Sequence, residues 1–140
     1  MAQFSRIVGD NASKVGIEVQ LINVFADLGA YFYARDLLQG RGYRVLIDGL
    51  NPLCLQFFES GLLGADFVKI RWGRELLDEV QGNRMVEMRD VVEHTGKDRL
   101  ILARVDSEDA LKWGMKLGIT SYQGHYIDTM VAAMYTKGLI

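Results

Sequence analysis

The 140-residue chain predicts a single α/β domain built on parallel strands. Three observations lead there. Five short aliphatic or β-branched runs recur along the chain, and segments with apolar positions at three- and four-residue spacing lie between them. Glycine, proline or N-capping residues fall where the period changes. Alternating strand and helix implies a parallel sheet with right-handed crossovers. Several of the runs are apolar on both faces, as strands covered by helices should be. No linker or low-complexity stretch interrupts the pattern, so residues 1–140 read as one domain.

The expected order is a short helix followed by five βα units, with strands starting near residues 17, 44, 67, 99 and 121. The first strand, 16–22, leads to a helix over 26–39 that carries Tyr31, Phe32 and Tyr33 as core and surface rather than as a stacking platform. Gly40, Arg41 and Gly42 precede the second strand, 44–48, and so form an αβ connection; a phosphate loop would open a helix instead. Asn51 and Pro52 read as an N-cap and a first helical position, with Gly61 or Gly64 ending that helix and Cys54 packed as a small hydrophobe. The third strand, 67–70, is followed by a helix over 74–94. After the fourth strand, 99–105, Ser107 caps a helix with Glu108 and Asp109 in its first turn and Gly118 as its stop. Residues 121–126 form the fifth strand, and Asp128 caps a last helix over 129–135. An open doubly wound five-stranded sheet is the alternative arrangement of these units.

Composition narrows the function classes. Sixteen basic and eighteen acidic residues give a net charge of −2, so no global basic field exists to hold DNA or RNA. The single cysteine, Cys54, excludes an intrachain disulfide and a cysteine-rich zinc site, which suits a reducing compartment. Residues 1–11 show no signal-peptide pattern, and no apolar run approaches the roughly 20 residues that a membrane span requires. A soluble, cytoplasmic domain with no membrane partner is the expectation. There is no Walker motif, nucleophile elbow or dinucleotide fingerprint.

Binding groups in parallel α/β folds gather at the carboxyl ends of strands. Here those ends carry Glu18 and Gln20, Asp48, Lys69 and Arg71, Arg104 and Asp106, and Gln123 and His125. Glu18, Asp48 and Lys69 admit two readings. Two carboxylates and a lysine suit a metal-dependent phosphoester site; the same three residues also make a buried, mutually satisfied ion cluster. His94, near a helix end, suits the helix dipole, and the lone strand histidine His125 lacks a second ligand at metal-binding spacing.

At these strand ends the sequence resembles the EAL-domain family of cyclic-di-GMP phosphodiesterases and their inactive relatives. Residues 42–50 (GYRVLIDGL) resemble the family's strand ending in Asp-Asp-Phe-Gly, and 64–70 (GADFVKI) its Val-Asp-Tyr-Leu-Lys-Ile-Asp segment. Residues 100–111 resemble Val-Val-Ala-Glu-Gly-Val-Glu-Thr-Glu-Glu-Gln-Leu, and 117–125 (LGITSYQGH) resemble Leu-Gly-Cys-Asp-Tyr-Val-Gln-Gly-Tyr. Ile17-Glu18-Val19-Gln20 stands where the family has Leu-Glu-Ile-Thr-Glu. The resemblance covers about residues 16–137 and only the family's C-terminal half, five of the eight strands of a modified TIM barrel; the Glu-Ala-Leu segment itself has no counterpart.

The resemblance implies that Glu18 and Asp48 are remnants of metal ligands and that Lys69 is the remnant of the lysine that positions the catalytic water. Gln123 matches the last strand's glutamine. The departures bear on activity. Gly49 replaces the second aspartate, Ala103 replaces a metal-site glutamate, Arg104 stands at that motif's glycine, and Asp106 stands at its final glutamate. Residues 49–52 (GLNP) replace Phe-Gly-Thr-Gly. Hydrolysis on two cations needs several carboxylates, so the expectation is a catalytically inactive signalling or protein-interaction module. No cofactor is expected; Mg or Mn would enter only with residual phosphodiesterase activity. A barrel fragment leaves apolar surface to cover, which favours a homo-oligomer or a protein partner. A non-hydrolysing cyclic-di-GMP receptor is the alternative, with Arg71, Arg104, Asp106 and Gln123 as ligand-binding candidates. The third reading is an EAL phosphodiesterase completed by a separate N-terminal half.

Overall fold

The structure, a computed structural model, describes residues 4–8, 16–57 and 63–140. Five strands are hydrogen-bonded in chain order: β1 (Phe4–Val8), β2 (Gly16–Gln20), β3 (Arg44–Leu50), β4 (Phe67–Arg71) and β5 (Leu100–Ala103). Strands β2–β5 are parallel, as the alternating pattern predicts. β1 corrects the expected short opening helix: it is a strand, antiparallel to β2, with a register irregularity between Phe4 and Arg6. Its pairing joins two successive segments of the chain, which the apolar periodicity of residues 4–8 alone does not reveal; residues 1–3 and 9–15 lie outside the described residues. Chain contacts divide the molecule within β4 into two compact units, Met1–Lys69 and Ile70–Ile140.

In the first unit, β2 and β3 run in register from Gly16 beside Arg44 to Gln20 beside Asp48. The two-residue period of a strand then places Glu18, Gln20, Leu46 and Asp48 on one face. Val19, Val45, Ile47 and Val68 are fully buried. The helix expected over 26–39 is α2 (Leu28–Gly40); a further helix, α1 (Leu21–Ala26), precedes it and ends the first strand at Gln20, short of the expected residue 22. Asp27 makes the break, because its carboxylate accepts the Ala30 N–H at 3.0 Å as an N-cap. Tyr31 is fully buried and Tyr33 exposed, so the aromatic run serves as core and surface of one helix. The Tyr31 hydroxyl donates to the Leu63 carbonyl at 3.0 Å, and Arg35 Nη1 donates to the same oxygen at 2.9 Å. Asn51 Oδ1 accepts the Leu53 N–H at 2.8 Å, yet a 3-10 helix (Pro52–Phe57) follows in place of the expected α-helix. Such side-chain bonds to the backbone compete with the α-helical ladder. The expected stop at Gly61 lies outside the described residues, and the packing of Cys54 outside the described side chains.

In the second unit, the Trp72 N–H donates to the Ala103 carbonyl at 2.9 Å. The helix expected over 74–94 is two helices, α3 (Leu76–Glu79) and α4 (Asn83–Thr95), because Val80 leaves helical geometry (φ −113°, ψ 86°) just before Gly82. His94 does lie in the last turn of α4. α5 (Glu108–Lys116) starts as predicted, with the Ser107 hydroxyl accepting the Ala110 N–H at 3.3 Å. It also stops as predicted. Gly118 takes φ +81°, which lets its own N–H and that of Ile119 reach the Met115 and Gly114 carbonyls at 3.1 and 3.0 Å.

The fifth strand is reduced to a parallel bridge between Leu102 and Tyr122. At Gly124 the chain passes so close to Val105 that a Cβ would overlap the Val105 backbone, and this approach ends the extended segment. α6 (His125–Thr136) therefore starts four residues ahead of expectation, which puts Asp128 inside its first turn rather than at its cap, and His125 on a helix rather than a strand. Leu76, Val80, Leu100, Leu102, Trp113 and Leu117 form this unit's core. Among the described residues, no helix is long and apolar enough to cross a membrane.

Candidate functional site

The first unit brings Glu18, Gln20, Asp48 and Lys69 together. Lys69 Nζ donates to Glu18 Oε1 at 3.0 Å, and their side chains are 4% and 2% exposed. A charge is expensive to bury unless it is paired, and here each ion supplies the other's counter-charge. Asp48, half-buried, accepts the Gly49 N–H at Oδ1 (2.7 Å) and Gln20 Nε2 at Oδ2 (3.3 Å). The β2–β3 register dictates the Gln20 contact. Burial pushes the Asp48 carboxyl up; hydrogen bonding with Glu18, the Gly49 N–H, the Lys69 ammonium and Gln20 together outweigh it and hold Asp48 below the usual aspartate range. The cluster is thus two acids, one internal cation and one amide.

The remaining strand-end candidates belong to the second unit. Arg71 and Arg104 are exposed, and neither forms an ion pair among the described residues. Arg104 has φ 61°, a left-handed conformation that is uncommon for a residue with a side chain. Asp106 Oδ1 accepts the His125 N–H at 2.8 Å, so its carboxylate caps the start of α6. Gln123 acts through its backbone, its N–H donating to Leu102 and its carbonyl accepting from Val105 at 2.9 and 3.0 Å, while its side chain is exposed.

Two contributors escaped the sequence reading. Asp66 Oδ2 accepts the Val45 N–H at 2.7 Å and Gln39 Nε2 at 3.2 Å, tying the start of β3 to α2. The other is α6, which buries no residue and leaves Met130, Val131 and Tyr135 exposed. Its signal was present: Asp128 is the only acidic or basic residue between 126 and 136.

The EAL resemblance implies a metal centre held by several carboxylates. Among the described residues, no group of three or more His, Cys, Asp or Glu is placed to hold a metal ion. Glu18 is engaged by Lys69, and Gly49 and Ala103 offer no side-chain ligand. The donor set does not fit a two-metal site. The chain matches no protein-family model and no curated protein.

Proposed function

We propose that this chain is a catalytically silent EAL-like module that acts in signalling by associating with itself or with a protein partner. On this reading its parallel strands derive from the C-terminal part of an EAL-type (βα)8 barrel. One observation carries the proposal: the buried 3.0 Å pair between Lys69 and Glu18. Two divalent cations need a surplus of negative charge at their ligands. Here one of the two carboxylates is already balanced by an ammonium, and the positions that would add more acids hold Gly49 and Ala103. The test is turnover of cyclic-di-GMP with Mg²⁺ or Mn²⁺. No product is expected, whereas hydrolysis that disappears in Lys69→Ala overturns the reading.

A second reading, a cyclic-di-GMP receptor without hydrolysis, is favoured by the exposed guanidiniums of Arg71 and Arg104. Guanidinium groups bind phosphodiester oxygens through paired N–H donors. Calorimetry with the dinucleotide separates the two readings: heat lost in an Arg71→Ala/Arg104→Ala variant supports the receptor, and its absence at high micromolar ligand removes it.

A further inference from the structure

The second unit holds a groove of about 450 Å³ between one face of α5 and the residues that run from α3 into α4. That is the size of a small-molecule site. Leu77, Val80, Met85 and Trp113 give it apolar walls, and Asp109, Lys112 and Lys116, one stripe of α5, give it charge. We infer that the groove binds a small amphipathic anion, an aliphatic carboxylate whose chain lies against the apolar walls and whose head pairs with Lys116.

Three observations select that chemistry. Lys116 is the spare cation: Asp109 is engaged by Arg74 at 3.5 Å and Lys112 by Glu108 at 3.0 Å, whereas Lys116 forms no ion pair among the described residues. Helical rise puts Lys116 about 10 Å along the axis from Asp109, so a carboxylate at the lysine does not meet that acid. Gly82, which also lines the groove, is the N-cap of α4. It has no side chain to cap with and no acid follows in the first turn, so the positive end of that helix dipole meets no anionic side chain of its own. Trp113 is 3% exposed, and its indole N–H is a buried donor with no acceptor among the described residues. Such a donor is costly to leave unpaired, and a ligand oxygen would satisfy it. Spare positive charge, an orphaned donor and apolar walls in one groove fit an anion with an apolar body. Neither a bare anion nor a neutral hydrocarbon uses all three.

The probe is octanoate, followed by calorimetry on the whole wild-type chain and by fluorescence of a Trp72→Phe chain. The sequence has two tryptophans, Trp72 and Trp113, so that variant keeps only the one that lines the groove. Saturable binding is expected, with a dissociation constant below about 1 mM and a change in Trp113 emission. Lys116→Glu, at an exposed position, should weaken it about tenfold or more, the loss of one charge-assisted bond. Lys116→Arg keeps the charge and should stay within about threefold. Butanoate should bind about tenfold or more weaker than octanoate, because its shorter chain covers less of the apolar walls. Val131→Glu, on the exposed face of α6, should leave the affinity unchanged, with circular dichroism reporting that each variant is folded. No saturable binding up to about 10 mM octanoate, equal binding of octanol or inorganic phosphate, or an affinity that Lys116→Glu leaves intact would each overturn the assignment. Loss in Val131→Glu would move the binding to α6 and overturn it as well. The groove shares no residue with the Glu18–Lys69 pair, so these outcomes and the fate of the proposed function are separate.

Discussion

Removing Lys69 should destabilise the protein more than removing the charge of Glu18, although the two form one pair. At 3.0 Å and an effective dielectric of about 20, their mutual attraction is about 5–6 kcal/mol. Desolvation costs several kcal/mol per ion, so the pair as a whole contributes little beyond what apolar side chains of the same volume would. The single variants differ because of Asp48. In Lys69→Met, Glu18 loses its buried cation and is left beside a second carboxylate, which predicts a loss of about 3–5 kcal/mol. In Glu18→Gln the ammonium keeps an amide oxygen to donate to and still has the Asp48 carboxylate nearby, so the loss should be about 1–3 kcal/mol.

The double variant Lys69→Met/Glu18→Leu removes both buried charges, and Asp48 retains its bonds from Gly49 and Gln20. It should lie within about 1 kcal/mol of the wild type and so recover most of the Lys69→Met loss. Urea titrations of the four proteins at pH 7 measure this directly, provided their slopes agree. Equal losses in the single variants, or a double variant less stable than Lys69→Met, would refute the reasoning.

Three further outcomes follow from individual contacts. Arg104→Gly relieves a left-handed residue; the relief of about 1–2 kcal/mol exceeds glycine's added unfolded-state entropy of about 0.5–1 kcal/mol, so stability should rise by about 1 kcal/mol or less, read as a higher midpoint of thermal unfolding, and a lowered midpoint would contradict this. Gly124→Ala forces a Cβ into the Val105 backbone and should cost about 3 kcal/mol or more, read as a lower urea midpoint; an unchanged midpoint would show that the approach of the two segments is not needed. Asp48 is held below the pKa of an unfolded aspartate, about 3.9, so its stabilisation is complete above that pH and lost as pH falls further. Asp48→Asn should therefore flatten the acid limb of the stability profile below pH 4, and a limb of unchanged steepness would contradict this.

What the sequence made legible was whatever one segment decides alone. Ser107 and Gly118 bracket α5 because a cap and a left-handed stop are local choices, and strands β2–β5 show in their apolar runs. The misses were contests between a local signal and a remote contact. Asp128 is a sound N-cap by type, but α6 begins at His125 because Asp106, nineteen positions earlier, supplies the cap. Phe4–Val8 became a strand because β2 offered it a free edge. At the site, spacing correctly placed Glu18 and Gln20 on one face, whereas the ion pair with Lys69 joins residues fifty-one positions apart. A pairing at that separation is set by the fold, so spacing along a single strand could not show it.

The same residue types that equip a strand end for catalysis also satisfy backbone groups left open there, and in this chain the second use predominates. Asp106 caps a helix, Asp48 takes a backbone N–H and an amide, and Glu18 neutralises a lysine. Redeploying Glu18 costs most stability, because Lys69 would then be a buried ammonium without its counter-charge, whereas the partners of Asp48 and Asp106 are part-buried or exposed. Arg104 sharpens the point. Its backbone takes a left-handed conformation, φ 61°, in which an arginine is strained.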